Sequence, residues 1–272
     1  MSLGNCPVTR KDFTPNRRGF VGLLAAAGIL PASQLMGAQT SGQSSGNGSD
    51  GGQPERAPEE VETIRLDRIG RYATGEALGG AESVSYQAGD SRLFVVNSNA
   101  GQVEVLDLSD PTDPTQDSIL EASELVASEG SVVDSVGGTN SVDVRGDIVA
   151  AAIEADPATN DGAVAFYDAG SLEFLNAVQV GPLPDKVTIS PDGSHVAVAN
   201  EGEPGAETDP AGSVTIIDIE DGVESVSAST ATFTEFDGQE QELREEGIHI
   251  VSQAAEPATF SHSVEPEFVT FA

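Results

Sequence analysis

The sequence predicts an all-β fold of the β-propeller class, and three observations lead to that prediction. Short apolar or alternating runs recur from residue 61 onward with the period of two that half-buried strands show. Clusters of Gly, Asp, Asn and Pro separate these runs and mark turns. The order strand, turn, strand, loop, strand occurs three times, and repeats of about 40–50 residues with three or four strands are typical of propeller blades.

The strands can be assigned in order along the chain. First strands are predicted at three places, each with a valine at the matching position: 81–86 (Val84), 139–144 (Val142) and 184–189 (Val187). The apolar runs that predict the second and third strands are 93–96 and 103–108, 148–151 and 163–167, and 196–199 and 214–219. Only two segments, 119–128 and 238–246, have the pattern of short helices.

The number of repeats predicts an incomplete ring. A fourth first strand is expected at 265–271, which gives about three blades plus the first strand of a fourth. A propeller closes with at least about four blades, so we expect a partial propeller on a truncated chain. One alternative is a closed fold in which 61–80 and 220–260 supply the extra strands. A β-sandwich also contains many short strands, but the repeated strand order favours the propeller.

Residues 1–38 are predicted to be a twin-arginine signal peptide. Arg17 and Arg18 lie in a basic stretch and precede the apolar run 19–30. That run is too short to span a bilayer comfortably, but it suits a signal peptide. The stretch 14–21 resembles the twin-arginine export pattern, which consists of a polar residue, two arginines, any residue and two apolar residues. We therefore expect export by the twin-arginine machinery to the cell surface or beyond, and a mature chain without a transmembrane span.

Residues 39–60 are predicted to be a disordered Gly/Ser linker with a Pro/Glu end. The stretch 42–46 matches the G-x-S-x-G pattern of hydrolases, but no strand precedes it and no helix follows it, so we interpret the match as chance. Asn47 begins an Asn-Gly-Ser sequon and is a glycosylation candidate. The remaining residues, 61–272, are assigned to the partial propeller.

The charge balance excludes whole classes of partner. The chain has 45 Asp and Glu against 12 Lys and Arg, a formal net charge of -33, and no Trp. Such a chain is repelled by phosphate backbones and anionic membranes and lacks the means to stack on bases, which excludes nucleic acid. Many acids with only two lysines are typical of proteins from salt-loving organisms, because salt screens the repulsion. The single cysteine, Cys6, precedes the apolar run, so the mature chain would contain no thiol.

A family resemblance lies in the third repeat. The segments 183–193, 196–204 and 209–218 together resemble the choice-of-anchor I family. These are secreted β-propeller proteins related to the mesenchyme-specific cell-surface glycoproteins of biomineralising animals. The motif Asn-Glu-Gly-Glu-Pro, 200–204, is the most specific part of the resemblance.

Two positions depart from the family pattern, although the resemblance covers about residues 75–272. Gly205 stands where an arginine is usual, and Lys186 replaces a more usual apolar residue. The resemblance implies an exported cell-surface propeller whose sequence normally continues beyond this length. Family members are often described as alkaline-phosphatase-like, a function that the motifs of this chain do not support.

Oxygen-bearing side chains on the turns of the third repeat suggest a metal site. They are Asp185, Asn200, Glu201, Glu203 and Asp209. Carboxylate and amide oxygens on loops are what Ca²⁺ requires, so one hypothesis is a calcium site. The alternative is that Asp185 caps a turn and that the glutamates belong to the acidic surface.

The sequence favours binding over catalysis. His195, His249 and His262 lack the spacings of helical zinc motifs, and no Ser-His-Asp triad can be assembled from spacing alone. We therefore expect a non-catalytic binding or adhesion scaffold that presents loops to a ligand at the cell surface. The alternative is a calcium-dependent phosphoesterase of the alkaline phosphatase-like or phytase-like kind. A third hypothesis is that the truncated chain has no independent function.

Overall fold

The computed structural model describes residues 67–75, 80–123, 125, 131–250 and 259–271. The predicted signal peptide with Arg17 and Arg18, the linker and the Asn47 sequon lie outside these residues. Among the described residues, no helix has both the length and the apolar character needed to cross a membrane.

In the part of the chain that the structure describes, twelve strands form three four-stranded antiparallel sheets, each with its strands in chain order. The first sheet contains β1 (Val84–Gln87), β2 (Arg92–Asn97), β3 (Gln102–Asp107) and β4 (Thr115–Glu121). The second contains β5 (Val136–Arg145), β6 (Ile148–Ala155), β7 (Asp161–Asp168) and β8 (Phe174–Pro182). The third contains β9 (Pro184–Ile189), β10 (His195–Asn200), β11 (Ser213–Asp218) and β12 (Ser227–Thr232).

Short polar turns join consecutive strands, as the turn between β9 and β10 illustrates. The Ser190 hydroxyl donates a hydrogen bond to Asp192 Oδ1 at 2.6 Å, and Gly193 has a φ of 74°. A side chain at Gly193 would be strained at this positive φ, whereas glycine adopts it without penalty. The turn therefore returns the chain antiparallel beside β9, as the sequence of this loop predicts.

The sheets bury two apolar layers, one on each side of the second sheet. Phe94 and Val142 belong to the layer between the first and second sheets. Phe166, Val187 and Ile217 belong to the layer between the second and third. Three successive four-stranded antiparallel sheets confirm the predicted all-β, β-propeller class.

One of the two predicted helices is confirmed and the other is partly wrong. Helix α1 spans Glu240–Glu245, within the predicted segment 238–246. In the predicted segment 119–128, residues 119–121 instead end β4, where Leu120 pairs with Val103 of β3. The pairing across the sheet outweighs the local helical pattern there. Ser123 and Leu125, further along that segment, are helical as predicted. The other short helices assigned within the described ranges are two 3-10 turns, Val223–Ser225 and Thr234–Phe236, and α2, Phe260–Ser263.

The sequence did not reveal the fourth strand of each sheet. Strand β12 consists of Ser, Ala and Thr, and all six residues are exposed. An outer strand with water on both faces has no apolar alternation to detect. Residues 227–232, inside the segment 220–260 that the closed-fold alternative used, therefore complete the third sheet.

The predicted first strand of a fourth blade is not assigned as a strand. Residues 264–271 have no regular secondary structure, yet they lie against the third sheet. The Thr188 hydroxyl on β9 donates to the Val269 carbonyl at 3.0 Å, and the Gly212 amide donates to the Ser261 carbonyl at 3.2 Å. The 259–271 segment therefore covers the free face of the third sheet without pairing as a strand.

Candidate functional site

The first strands of the three sheets lie side by side and are linked by polar side chains. The hydroxyl of Ser83, the residue before β1, lies 3.5 Å from the Ser141 hydroxyl on β5. Asp143 accepts from the Ser85 hydroxyl at 2.9 Å and from the Ile189 amide at 2.8 Å. The Asp143 carboxylate therefore connects all three first strands.

The predicted valines occupy equivalent places in these strands. Val84 pairs with Val95, Val142 with Ala151, and Val187 with Val198, each on the second strand of its own sheet. The neighbouring positions are then equivalent as well. Ser83, Ser141 and Lys186 form one such set, and Glu82, Asn140 and Asp185 form another.

Lys186 is a half-buried cation among the first strands. Its Nζ lies 3.4 Å from the Ser141 hydroxyl oxygen and 5.7 Å from the centroid of the Phe268 ring. Burial lowers the pKa of Lys186, and the carboxylates of Asp143 and Asp185 oppose that shift. The ammonium group is therefore held by a hydroxyl, an aromatic face and nearby acids.

Asp185 is the most perturbed acid in this region. Its pKa is raised to about 6, chiefly by burial and in addition by the carboxylates of Glu267, Glu82 and Glu154, while Lys186 opposes the rise. Three carboxylates from different parts of the chain thus act on Asp185, which stands beside Lys186. We call the set Glu82, Ser141, Asp143, Glu154, Asp185, Lys186, Glu267 and Phe268 the axial cluster.

The residues of the predicted calcium site separate into two groups. Asp185 and Asn200 lie on the adjacent strands β9 and β10. Glu201, Glu203 and Asp209 lie in the loop between β10 and β11. Within the part of the chain that the structure describes, no group of three or more His, Cys, Asp or Glu side chains is placed to hold a metal ion. The five-residue set therefore stays a prediction.

Asn200 is fully buried at the end of β10. Its amide nitrogen donates to the Ser213 hydroxyl at 3.0 Å and to the Thr215 hydroxyl at 2.9 Å, both on β11. Its Oδ1 atom has no hydrogen-bond partner, and neither has the buried Oδ1 atom of Asp209. Buried oxygens without a donor are costly, so each of them needs an explanation.

A Ser-His-Asp group does form in the turn before β10, although spacing did not predict it. The Ser194 hydroxyl donates to Asp192 Oδ1 at 2.7 Å and lies 2.7 Å from His195 Nδ1. In a catalytic triad the histidine stands between serine and acid, whereas here the serine stands between the other two. Hydrogen bonds from Ser190 and Ser194 lower the pKa of Asp192 to about 2, so this carboxylate is a weak base for the serine proton.

A second group of the same kind surrounds His262 in α2. The Ser261 hydroxyl donates to Asp237 Oδ2 at 2.9 Å, and His262 Nδ1 lies 2.6 Å from the Thr259 hydroxyl. The acid again contacts the serine and not the histidine. Both groups order a turn or a helix end, which is a common role for Ser, Thr and Asp.

Sequence reasoning missed most of the axial cluster. Lys186 was noticed only as a departure from the family pattern, and Asp143 and Glu267 were not noticed. The available signal was the repeat itself, because Pro184–Ile189 and residues 266–271 both read Pro, acid, any residue, Val, Thr, apolar. That alignment places Glu267 opposite Asp185 and Phe268 opposite Lys186.

Comparison with known structures gives only distant likenesses. The Kuenenia stuttgartiensis hydrazine synthase is 17% identical with a TM-score of 0.39, over 56% of this chain and 37% of that one. A protein from Lactobacillus plantarum is 15% identical with a TM-score of 0.41, over 57% of this chain and 42% of that one. The chain thus spans less than half of either protein, and these TM-scores are too low to support an argument.

Sequence comparison is more decisive. No curated protein is significantly similar to this chain. The sequence profile of the choice-of-anchor I domain, in contrast, matches residues 82–272, which include all three sheets. The chain belongs to the choice-of-anchor I domain family.

Proposed function

We propose that this chain is an exported, cell-surface β-propeller domain that binds a ligand through the axial cluster and does not catalyse a reaction. One observation carries the proposal, namely the half-buried pair of Asp185 and Lys186 on β9. Desolvating charged groups costs free energy that folding alone does not repay. Charges kept in such a position are typical of sites that recognise a ligand.

The direct test of binding uses the cell envelope as the probe. Envelopes from cells that lack the gene are mixed with the folded protein in high-salt buffer and sedimented. We expect the wild-type protein to sediment with the envelopes and the double variant Asp185→Asn, Lys186→Gln to remain in solution. The control Asp90→Asn, Glu224→Gln alters two exposed acids and should sediment like the wild type. Equal sedimentation of both variants, or no sedimentation of the wild type, would refute the proposal.

Export by the twin-arginine route has its own test. The pattern requires both arginines, so the double variant Arg17→Lys, Arg18→Lys should keep the protein in the cytoplasm. Fractionation of cells that express either form of the full chain measures this directly. Secretion of the double variant at the wild-type level would exclude the twin-arginine route.

The calcium-dependent phosphoesterase remains as a second proposal, because Asn200 and Asp209 both carry buried oxygens without partners. Its test is phosphate release from p-nitrophenyl phosphate or phytate by the full chain in high salt with Ca²⁺. Release that disappears in Glu201→Ala or Glu203→Ala would establish catalysis and remove the binding-only proposal. No release with either substrate would leave the binding function as proposed.

A further inference from the structure

Residues 266–271 lie where the series of first strands would place a fourth member. Val269 matches the valines of β1, β5 and β9, so the residues that follow these four valines are equivalent as well. They are Ser85, Asp143, Thr188 and Thr270. The contacts made from this position therefore show how 266–271 stands relative to the three first strands.

The side chains at this position connect each first strand to the main chain of the next. The Ser85 hydroxyl accepts from the Val144 amide at 3.0 Å, and the Asp143 carboxylate accepts from the Ile189 amide at 2.8 Å. The Thr188 hydroxyl then donates to the Val269 carbonyl at 3.0 Å. The step from β1 to β5 and from β5 to β9 is thus followed by a similar step from β9 to 266–271.

A second row of contacts runs through the residues that precede the valines. The Ser141 hydroxyl lies 3.5 Å from the Ser83 hydroxyl and 3.4 Å from Lys186 Nζ. Lys186 Nζ in turn lies 5.7 Å from the centroid of the Phe268 ring. The two rows together place 266–271 alongside β9 and in the same direction, as β9 lies alongside β5.

This segment lacks the partner that each first strand has. Strands β1, β5 and β9 pair antiparallel with the second strand of their own sheet. Among the described residues, no main-chain hydrogen bond links 266–271 to a strand, and Glu267, Phe268 and Thr270 are exposed. Main-chain N–H and C=O groups without partners beside a sheet are a template for an incoming strand.

The unpaired main-chain groups face away from β9. The Val269 carbonyl is directed at β9, where it accepts from Thr188. Successive residues of an extended segment direct their main-chain groups to opposite sides, so the amide of Thr270 is directed to the other side. That is the side on which β10 pairs with β9.

We propose that 266–271 accepts one β-strand from another polypeptide, which pairs with it antiparallel and begins a fourth sheet. The second strands of the three sheets indicate the chemistry of this strand, because they occupy the equivalent place. Their central residues are apolar and buried, namely 94–96, 149–153 and 196–199. The incoming strand is therefore short, uncharged and apolar on both faces, and it binds by strand addition to an exposed edge.

The page of contacts within this chain favours a foreign strand over a second copy. Strands β2, β6 and β10 have the required apolar character, but each already lies between two strands of its own sheet. The outer strand β12 is exposed but consists of Ser, Ala and Thr. The surface also offers main-chain groups, whereas the proposed cell-surface ligand is held by charged side chains, so neither proposal depends on the other.

A peptide with the sequence of residues 194–200, which include β10, is the probe. A fluorescent form of it is titrated with the folded protein in high-salt buffer, and anisotropy measures binding. We expect saturable binding, because β10 is the strand that pairs with β9 and 266–271 matches β9. A peptide of residues 226–232 has the same length and is also uncharged, but it comes from the polar strand β12 and should not bind.

Variants of the protein locate the binding. Thr270→Pro removes a main-chain donor and crowds the incoming strand, and it should weaken binding by about tenfold or more. The matched control Thr270→Val keeps the amide and should bind like the wild type. Ser229→Pro alters β12 in the same way and should also bind like the wild type. Circular dichroism establishes that each variant is folded.

A modified peptide tests the pairing if Thr270→Pro does not fold. Methylation of every main-chain nitrogen in 196–199 of the peptide removes its donors there, so this peptide should not bind the wild-type protein. No binding of the 194–200 peptide, equal binding of both peptides, or equal affinity of Thr270→Pro and Thr270→Val would overturn the proposal. A dimer of the protein alone that Thr270→Pro abolishes would assign the place to a second copy and overturn the assignment to a foreign strand.

Discussion

The first and third sheets carry equivalent strands that lie in different surroundings. Val187 on β9 is completely buried, whereas 58% of the equivalent Val84 on β1 is exposed. Ile189 is 1% exposed and the equivalent Tyr86 is 52% exposed. Because the strands have the same register, the difference comes from what packs against them and not from their own sequences.

The neighbours of the two faces explain the contrast. Val187 and Ile189 contact the layer that contains Ala150, Val164 and Phe166 of the second sheet. On the first sheet, Tyr72 of the 67–75 segment reaches the outer strands, where its hydroxyl donates to Gln116 at 3.1 Å. The inner strand β1 has no comparable cover among the described residues. The same strand is therefore core in one sheet and surface in the other.

A charge placed on each valine should give the largest contrast. Val187→Asp buries a carboxylate in an apolar layer, and we expect it to lower the free energy of unfolding by more than about 4 kcal/mol or to prevent folding. Val84→Asp places the same group at an exposed position and should change it by less than about 0.5 kcal/mol. Denaturant unfolding in high salt measures both. Similar losses would show that the β1 face is covered in solution.

Truncation of the next pair of side chains sharpens the comparison. Ile189→Ala leaves a cavity between two sheets and should cost about 2–5 kcal/mol of unfolding free energy. Tyr86→Ala removes a half-exposed ring and should cost less than about 1 kcal/mol. The same unfolding experiment applies. A cost for Tyr86→Ala as large as that for Ile189→Ala would contradict the open face.

The contrast also shows what sequence reasoning could reach. The valine spacing identified equivalent strands because period-two alternation survives in every repeat. It could not distinguish Val84 from Val187, since burial depends on a neighbouring sheet that is distant in sequence. Strand β12 escaped prediction because its exposed Ser, Ala and Thr residues lack the apolar alternation that marks β9 and β10.

The candidate site was predictable only in part. Asp185 and Asn200 were found because oxygen-bearing residues on turns suggest cation binding. Lys186 and Ser141 lie 45 residues apart, and Phe268 comes from the 259–271 segment, so their contacts depend on how the sheets stack. Spacing also could not predict how Asp192, Ser194 and His195 are hydrogen-bonded to one another. The serine lies between the other two, whereas in a catalytic triad the histidine does.

Asp185 and Glu82 extend the comparison to ionisation. The pKa of Asp185 is about 6 in the fold against 3.8 for the free residue, so the folded state binds this proton more tightly. The stability that the protonated Asp185 carboxyl contributes is fully present below about pH 4 and is lost as the pH rises through about 6. Asp185→Asn should therefore stabilise the calcium-free protein by about 2 kcal/mol above pH 7 and by nothing near pH 4.

The control for this effect is Glu82→Gln at the equivalent, exposed position of the first sheet. It removes only one of the acids that repel Asp185, so its gain above pH 7 should be smaller. Unfolding with chelator present, repeated from pH 4 to pH 8, gives both curves. A gain for Asp185→Asn that does not change with pH would mean that the carboxylate is solvated and not buried.

The smallest effects concern the two segments that cover the outer sheets. Tyr72→Phe removes an exposed hydrogen bond from the 67–75 segment and should cost no more than about 0.5 kcal/mol. Thr188→Val removes the hydrogen bond to the Val269 carbonyl, in a partly buried place, and should cost about 1 kcal/mol. Hydrogen exchange should then accelerate in residues 266–271 for Thr188→Val and in residues 70–75 for Tyr72→Phe. If Thr188→Val leaves residues 266–271 fully protected, the 259–271 segment is held by its close backbone contact at Gly212, where the Val264 carbonyl and the Pro266 ring leave no room for a side chain.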